Sequence, residues 1–434
     1  MTQATAFTDR QFAGLLTGAS VGSMFEWYDF FLAATAAAVV WPKIFFPARF
    51  DPAVALAVSV ASVGLAYVSR PVGALIFGHL GDKYGRRNTL VWTLILMGIS
   101  SIGTALLPPY ASVGIIALVM VFAFRLLMGV GVGGEHGGAF SWVAEARPNS
   151  KHRGFWISWP NAVLLLGKLL SVYAFYVVSS SLSNAAYLDW GWRVPFALGA
   201  VMLLIGLIIR IKIMESPMFQ QLQSKRTILK YPAFQVLREQ GRKMFTLLWL
   251  NSYITAIPGL LILPYSISYL TRIGANDALA NLSVSAGSAV GFFTLLLGAY
   301  VSDYVGRIKV LRIGALLTIA AMFPYFLLLS TVNPIWIILA QMLFYGLNEI
   351  PDGVCKAIYT ESFPTKYRYS GQGLTHEIGG MIAGVLIAVI LPLILLTYGV
   401  VGAFMPIIWV CIAMAIASLT ASCFVKETKG TILE

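Results

Sequence analysis

The sequence is dominated by apolar runs that are long enough to cross a lipid bilayer. A membrane-spanning helix needs about 20 consecutive apolar residues, and we read twelve such runs along the chain. They lie near residues 12–40, 53–79, 88–108, 112–144, 154–180, 191–213, 243–270, 278–302, 309–330, 334–360, 371–397 and 400–425. We therefore predict an all-α membrane protein with twelve transmembrane helices.

The composition and the charge distribution support this class. Hydrophobic residues make up 58% of the chain and charged residues only 11%, whereas soluble domains average about 25% charged residues. The net charge of +12 does not indicate nucleic acid, because the basic residues sit at the ends of alternate apolar runs. That placement is typical of membrane proteins, in which Lys and Arg set the orientation.

The basic residues predict which ends of the helices face the cytoplasm. One side of the predicted bundle has only four, Lys43, Arg49, Arg193 and Arg272. The other side collects Arg10, Lys83, Arg86, Arg87, Arg147, Lys151, Arg153, Lys212, Lys225, Arg226, Lys230, Arg238, Arg242, Lys243, Arg307, Lys309, Arg312, Lys366, Arg368, Lys426 and Lys429. By the positive-inside rule, both termini and the central loop are cytoplasmic. An even number of helices agrees with this orientation.

One long polar stretch divides the chain into two halves. We predict an N-terminal six-helix bundle at 1–213, a cytoplasmic linker at 214–242 and a C-terminal six-helix bundle at 243–434. Short segments repeat between the halves: Glu145-Ala146-Arg147-Pro148 echoes Glu361-Ser362-Phe363-Pro364, and Glu215-Ser216-Pro217 echoes Glu427-Thr428-Lys429-Gly430. The halves are therefore expected to be pseudo-symmetric, as in transporters built from parallel repeats.

A glycine-rich basic motif joins the second and third apolar runs. It reads Gly78-His79-Leu80-Gly81-Asp82-Lys83-Tyr84-Gly85-Arg86-Arg87, and a weaker copy contains Gly298, Ser302, Asp303, Gly306 and Arg307. We expect a tight turn in which glycines supply positive φ and close approach. The pattern resembles the loop between helices two and three of the major facilitator superfamily. The alternative is an ordinary pair of positively charged cytoplasmic turns.

Several ionisable residues fall near the middle of the predicted spans: Glu26, Asp29, Arg70, Arg125, Lys168, Glu349 and Asp352. A charge at this depth costs several kcal/mol unless it is paired or solvated, so each is a candidate site residue. Glu26 and Asp29 share a helix face, and their repulsion favours protonation of one of them. The alternative is that they form structural ion pairs with Arg70 or Arg125.

The other candidates carry similar alternatives. Arg125 precedes a glycine-rich run, residues 129–138, that lets a neighbouring helix approach closely, and its guanidinium suits a carboxylate ligand. His136 is either a proton relay or a structural hydrogen-bonding residue. Lys168 is predicted to contact an anion rather than a structural partner. Asp352 either binds substrate or is simply neutralised by Lys356 four residues later. Glu349 is predicted to be available for function, and His376 and Glu377 to belong to a gate.

No motif indicates an enzyme or a metal site. The three cysteines, Cys355, Cys411 and Cys423, lie in apolar runs without metal-ligand spacing, and the sequence has no H-E-x-x-H, nucleophile elbow or ATP-binding loop. We therefore expect no cofactor, no metal and no enzymatic activity, with the proton as the coupling ion.

Further segments support a narrower resemblance: Phe25-Glu26-Trp27-Tyr28-Asp29-Phe30, Arg70-Pro71, Gly131-Val132-Gly133-Gly134-Glu135, Trp190-Gly191-Trp192-Arg193-Val194-Pro195-Phe196, Glu215-Ser216-Pro217-Met218-Phe219 and Glu427-Thr428-Lys429-Gly430. Together they resemble the metabolite:proton symporter family of the major facilitator superfamily. The resemblance implies proton-coupled uptake of small organic acids or zwitterions, and a cytoplasmic gate held by Asp82, Arg86 and Arg87. His136 departs from the family pattern, which commonly has tryptophan there.

These observations predict a proton-coupled symporter that imports a small carboxylate-bearing metabolite by alternating access. The predicted substrate-binding residues are Arg125, Lys168, Arg70, Glu349 and Asp352. The predicted proton-coupling residues are Glu26, Asp29 and His136. The predicted gate residues are Gly78, Gly81, Asp82, Gly85, Arg86, Arg87, Asp303, Gly306 and Arg307.

The expected setting is the plasma (inner) membrane. There the lipid bilayer and a small-molecule substrate are the partners, and the chain is expected to act as a monomer. Two alternatives stay open at this point. One is an exporter or uniporter of organic cations or drugs, in which the buried carboxylates would bind the cation. The other is a sensor that does not transport.

Overall fold

The computed structural model describes residues 7–47, 49–255, 257, 262–275 and 277–433, and all the regular structure within these ranges is helical. Its helices of ten or more residues are α1 (Asp9–Val39), α2 (Pro52–Tyr84), α3 (Arg86–Ala105), α4 (Ile116–Ala146), α5 (Arg153–Ser181), α6 (Arg193–Lys212), α7 (Pro232–Thr255), α8 (Leu263–Arg272), α9 (Asp277–Val305), α10 (Arg307–Leu329), α11 (Pro334–Ser362), α12 (Arg368–Gly402) and α13 (Phe404–Ser422). Short helices are Trp41–Ile44, Tyr110–Val113, Asn184–Ala186, the π-helix Tyr187–Gly191, Pro217–Ser224 and the 3₁₀-helix Thr365–Tyr367.

Eleven of the predicted spans each coincide with one long helix, and the seventh coincides with α7 and α8. Nine helices in the described ranges are long and apolar enough to cross a membrane. The helices of predicted spans one, seven and ten are not among these nine. They carry more ionisable residues, such as Glu26 and Asp29 in α1 and Glu349 and Asp352 in α11. The polar groups that mark candidate sites therefore also weaken the hydropathy signal.

The start of α7 differs from the prediction. The helix begins at Pro232, inside the stretch that was expected to be a linker until residue 242. Ala233 and Val236 are fully buried, whereas Arg238 is exposed. The first turns are thus amphipathic, and averaging hydropathy along the chain conceals such a helix.

The described chain forms two compact units. Unit 1 contains Met1–Arg147, Val163–Gln235 and Thr365–Glu377. Unit 2 contains Pro148–Ala162, Val236–Pro364 and Ile378–Glu434. Each unit thus includes a short segment from the opposite half of the sequence, and these two segments start equivalent helices, α5 and α12. The predicted boundaries at residues 213 and 243 stay a prediction.

Unit 1 depends on close contact between α2 and α4. A Cβ atom added at Gly73 would collide with the carbonyl of Val130, and one added at Gly129 would collide with the carbonyl of Ala66. The backbones therefore touch where side chains would keep them apart. This confirms the close approach that was predicted for the glycine-rich run, and it fixes the relative positions of the charged residues on α2 and α4.

Unit 2 has an equivalent close contact at glycine residues, between α9 and α11. A Cβ atom at Gly353 would collide with the carbonyl of Leu295, and a Cβ atom at Gly298 would lie 2.7 Å from the carbonyl oxygen of Ile350. The helices of the second and fourth predicted spans of each half are therefore packed in the same way. The repetition agrees with the predicted pseudo-symmetry of the halves.

Candidate functional site

A buried ion pair joins α1 to α4 in unit 1. Arg125 Nη1 donates to Asp29 Oδ2 at 2.9 Å, and Arg125 Nη2 donates to Thr104 Oγ1 at 2.9 Å. Asp29 is fully buried and Arg125 is 1% exposed. Ionic hydrogen bonds in such a poorly solvated place are strong. Any group that takes the place of Asp29 on this guanidinium must therefore be an anion of similar geometry.

A second buried pair joins α1 to α2. Arg70 Nη1 lies 3.2 Å from Glu26 Oε1 and 3.8 Å from Glu377 Oε2, and the guanidinium carbon lies 4.2 Å from the centre of the Tyr67 ring. Both ion pairs that the sequence left open are thus formed: Glu26 with Arg70, and Asp29 with Arg125. The roles of these residues in substrate and proton binding stay predictions.

The two pairs line the same small cavity in unit 1. Its charged lining consists of Glu26, Asp29, Arg70 and Arg125. The apolar part of the lining consists of Phe30, Val63, Ala66, Met128 and Val132. Four of the predicted site residues therefore converge on one space. Polar groups that meet in an otherwise apolar pocket are typical of small-molecule sites.

Beside the cavity lies a group of four residues that we call the histidine cluster: Glu26, His136, His376 and Glu377. His136 Nδ1 is 3.2 Å from Glu26 Oε2 and 3.2 Å from Glu377 Oε1, and His376 Nδ1 is 3.1 Å from the same Glu377 oxygen. The imidazole rings stack with centroids 4.3 Å apart and planes 19° apart. Sequence reasoning considered His136 and the His376-Glu377 pair separately, because no periodicity relates positions so far apart in the chain.

Lys168 lies on α5 and faces α1. Its Nζ is 5.4 Å from the centre of the Phe31 ring. The preceding Gly167 lets α5 approach closely, since a Cβ there would collide with the carbonyl of Met24. Lys168 is thus placed against α1, the helix that carries Glu26 and Asp29, and its predicted contact with an anion stays a prediction.

The candidates in unit 2 lie on α11. Lys356 Nζ is 3.6 Å from Asp352 Oδ1, and Asn161 Nδ2 donates to Asp352 Oδ2 at 2.6 Å. The alternative pairing of Asp352 with Lys356 is therefore formed, and Glu349 is buried one turn earlier. The roles of Asp352 and Glu349 in substrate binding stay predictions. Sequence reasoning missed Asn348, which is fully buried and whose side-chain amide makes no hydrogen bond within the described ranges.

Most of the glycine-rich motif is helical, whereas a tight turn was predicted. Helix α2 continues to Tyr84, so Gly78, Gly81 and Asp82 are helical, and only Gly85 has a positive φ, at 112°. The expectation of several positive-φ glycines was therefore wrong. Gly81 serves instead for close contact, since a Cβ there would collide with the Tyr369 ring.

The charged residues of the motif form a network in unit 1. Asp82 accepts hydrogen bonds from the backbone N–H groups of Tyr369 at 3.1 Å and Ser370 at 2.8 Å, at the start of α12. Arg86 donates to both oxygens of Glu145 at 3.1 Å, and Arg368 Nη1 donates to Glu145 Oε1 at 2.8 Å. This network connects α2, α3 and α4 with the first turn of α12.

Unit 2 contains the same network in the weaker copy of the motif. Asp303 accepts from the backbone N–H groups of Gly154 at 2.9 Å and Phe155 at 3.0 Å, at the start of α5. Arg307 donates to both oxygens of Glu361 at 3.2 and 3.0 Å, and Arg153 Nε donates to Glu361 Oε1 at 2.8 Å. Gly306 has a φ of 119°, like its counterpart in unit 1. The two motifs are therefore structural repeats.

A third acidic residue completes each network. Glu215 accepts from the backbone N–H groups of Arg86 at 3.0 Å and Arg87 at 3.1 Å, and burial raises the pKa of this carboxyl despite those hydrogen bonds. Glu427 accepts from Arg307 at 2.8 Å and from Ile308 at 3.2 Å. Burial alone would raise the pKa of Glu427, but backbone N–H donors lower it below its usual value. Each carboxylate caps the N-terminus of the helix after the motif.

Comparison with known proteins agrees with this architecture. The family described as "Sugar (and other) transporter" matches the chain over residues 15–240 and again over 236–434. The inner membrane metabolite transport protein YhjE of Escherichia coli K12 is 32% identical, over 96% of this chain and 94% of that protein. The proline/betaine transporter of the same organism is 31% identical, over 88% and 77%, and its shikimate transporter is 28% identical, over 85% and 84%.

Solved structures match over the whole length. The proton:xylose symporter XylE of the major facilitator superfamily, bound to 6-bromo-6-deoxy-D-glucose, superposes with a TM-score of 0.81 at 19% identity, covering 98% of each chain. A partially occluded, inward-open structure of XylE from E. coli superposes with a TM-score of 0.71 at 18% identity, covering 98% of this chain and all of that one. At these identities the likeness shows a shared fold.

Proposed function

The chain belongs to the sugar (and other) transporter family, and from that premise we propose that it is a proton-coupled symporter for a small metabolite bearing a carboxylate. It has the twelve-helix fold of the major facilitator superfamily, and it is a membrane-spanning transporter rather than an enzyme. The family membership does not specify the substrate or the coupling ion. Those two points are argued from the charged cavity of unit 1.

The observation that carries the proposal is the buried pair of Arg125 with Asp29. A guanidinium remains charged at every physiological pH, so this position always requires an anionic partner or costs several kcal/mol. A substrate carboxylate satisfies the requirement by replacing Asp29. The bond from Arg125 to Thr104 holds the guanidinium in position during the exchange.

Protonation of Asp29 makes that exchange favourable. A neutral carboxyl binds a guanidinium much more weakly than a carboxylate does, and the incoming substrate then restores the charge balance. The proton and the substrate therefore each increase the affinity for the other, which is the thermodynamic definition of coupling. We assign the proton to Asp29 rather than Glu26, because Glu26 belongs to the histidine cluster and its charge is shared between His136 and Arg70.

The substrate class follows from the same pair. Shikimate, proline and betaine each carry one carboxylate, and proteins named as transporters of these compounds are among the relatives. They are the first compounds to test. We further propose that Lys168 provides a second cation for the substrate anion, and that the chain acts as a monomer in the inner membrane with both termini in the cytoplasm.

The test is uptake into proteoliposomes that contain the purified protein. With an inward proton gradient, the right carboxylate should accumulate above its external concentration and carry protons into the lumen. An Asp29→Asn variant should lose this gradient-driven accumulation while it keeps exchange of substrate across the membrane. The matched control is Asp189→Asn, which changes an exposed aspartate in the helix Tyr187–Gly191.

Two results would overturn the proposal. Accumulation by Asp29→Asn that still follows the proton gradient would remove Asp29 from coupling. Transport of a lipophilic organic cation, with no carboxylate transported, would favour an exporter or uniporter instead.

A further inference from the structure

The histidine cluster brings nitrogen and oxygen donors to one buried point. The donor atoms of His136, His376 and Glu377 all lie within 4.8 Å of one another. Glu26 adds a fourth donor, because its Oε2 is 3.2 Å from His136 Nδ1. All four residues are at most 6% exposed. They come from α1, α4 and α12, and all belong to unit 1.

Three of the separations between these donors match those around a tetrahedral metal ion. With zinc–ligand distances of about 2.0–2.1 Å, neighbouring ligand atoms in a tetrahedron lie about 3.3 Å apart. Three of the four nitrogen–oxygen pairs in the cluster, His136 with Glu26, His136 with Glu377 and His376 with Glu377, are 3.1 to 3.2 Å apart. Two of them meet at the same oxygen, Glu377 Oε1. Hydrogen bonds account for both contacts at this oxygen only when each imidazole carries its proton on Nδ1, whereas one cation would contact Nδ1 of both rings and the oxygen together.

The surroundings are those of a metal site as well. Arg70 contacts Glu26 Oε1 and Glu377 Oε2, which are the carboxylate oxygens that face away from the imidazoles. Such outer contacts orient metal-ligating carboxylates. Two imidazoles with two carboxylates suit zinc or cobalt, whereas magnesium and calcium prefer oxygen ligands only.

We propose that Glu26, His136, His376 and Glu377 form a binding site for a divalent transition-metal ion of the zinc type. The ion would connect α1, α4 and the first turns of α12. The argument for this site does not rest on the proposed function, although Glu26 also lines the cavity to which the substrate is assigned. It was not expected from the sequence, which has no metal-ligand spacing.

The test uses the purified full-length protein, without a histidine tag, after removal of metals with a chelator. Calorimetric titration with Zn²⁺ should show one ion bound per chain, and excess Mg²⁺ should not compete. Titration with Co²⁺ should give the intense visible absorption of a tetrahedral complex. The His136→Ala/His376→Ala variant removes two of the four ligands and should weaken Zn²⁺ binding at least about 100-fold.

The chain supplies its own control, because it has only two other histidines. His79→Ala/His152→Ala should bind Zn²⁺ like the wild type. As a second measurement that does not depend on the double variant folding, Zn²⁺ should raise the thermal midpoint of the wild type by mass action. It should not raise the midpoint of His376→Gln or Glu377→Gln.

Wild-type protein that binds Zn²⁺ no better than His136→Ala/His376→Ala would overturn the metal site and leave a shared proton as the explanation of the cluster. Loss of Zn²⁺ binding in His79→Ala/His152→Ala would overturn it as well, since the ion would then bind elsewhere.

Discussion

At the scale of single residues, the buried carboxylates Asp29 and Glu26 of unit 1 differ in the number of charged partners that each one has. Asp29 and Arg125 form a simple pair, so one proton or one ligand changes the charge balance of the whole arrangement. Glu26 is shared between Arg70 and His136, so its charge is distributed over several partners. A buried ion pair is weak evidence for stability. The exchangeable pair is therefore the better candidate for transport, and the shared one is the better candidate for binding an ion.

The geometry of Arg125 leads to a prediction for Arg125→Lys. Lysine keeps the charge but lacks the planar fork that bonds Asp29 and Thr104 at once. Losing one hydrogen bond to a charged group costs about 1.5–3 kcal/mol, so the apparent KM for the carboxylate substrate should rise about ten- to hundredfold in uptake assays. Arg238→Lys, at an exposed site on α7, should transport like the wild type. An unchanged apparent KM in Arg125→Lys would show that the guanidinium does not bind substrate.

At the scale of helices, glycines determine how closely neighbouring helices pack, and buried carboxylates bind the backbone N–H groups at helix N-termini. Glycine lets α2 and α4 touch, and this contact determines how the charges on the two helices meet. Asp82 and Asp303 bind the backbone N–H groups at the starts of α12 and α5, while Glu215 and Glu427 bind those at the starts of α3 and α10. An anion at a helix N-terminus is favoured by the helix dipole. Four helix starts are thus held by the same type of interaction.

Gly73→Ala tests the close contact of α2 and α4. The added methyl group collides with the carbonyl of Val130, and overpacking of this kind costs about 1–3 kcal/mol. Gly64→Ala lies on the same helix with no atom near the new Cβ, and alanine there should stabilise the helix by up to about 1 kcal/mol. Thermal unfolding should show a lower midpoint for Gly73→Ala and an equal or higher one for Gly64→Ala. Equal midpoints for Gly73→Ala and the wild type would contradict the backbone contact.

The equivalent carboxylates Glu215 and Glu427 should respond to pH in opposite directions. The folded protein lowers the pKa of Glu427. The contribution of this carboxylate to the free energy of unfolding is therefore fully present above the unfolded pKa of about 4.3. It is lost as the pH falls through the lower pKa of the folded state. The folded protein raises the pKa of Glu215, so it favours the protonated carboxyl. The contribution of this group to the free energy of unfolding is fully present below the unfolded pKa, and it is lost as the pH rises through the higher pKa of the folded state.

Thermal midpoints of the wild type, Glu427→Gln and Glu215→Gln, measured from neutral pH to below the unfolded pKa of glutamate (about 4.3), test this contrast. The advantage of the wild type over Glu427→Gln should shrink as the pH is lowered toward 4, while its advantage over Glu215→Gln should grow. Parallel trends for the two variants would mean that burial and backbone hydrogen bonds are balanced alike at the two sites.

At the scale of the whole molecule, the sequence predicted local relationships well and distant ones poorly. Glu26 and Asp29 could be predicted to share a face, because helical spacing relates residues three positions apart. Their separate pairing with Arg70 and Arg125 depends on how α2 and α4 pack, which spacing does not encode. His376 reaches His136 only because the first turns of α12 pack in unit 1. The amphipathic start of α7 was missed because its polar face lowers the average hydropathy.

The orientation of the molecule in the membrane is the remaining prediction from the charge distribution, and it can be tested with single cysteines. Ser224 and Ser181 are exposed and belong to polar segments that the distribution places on opposite sides of the membrane. In a Cys423→Ser background, a membrane-impermeant maleimide should label Ser224→Cys only in inside-out vesicles and Ser181→Cys only in intact cells, because Lys and Arg are retained on the cytoplasmic side. Cys355 and Cys411 are buried and should react slowly in both preparations. Labelling of Ser224→Cys in intact cells would show the opposite orientation, with the termini outside the cytoplasm.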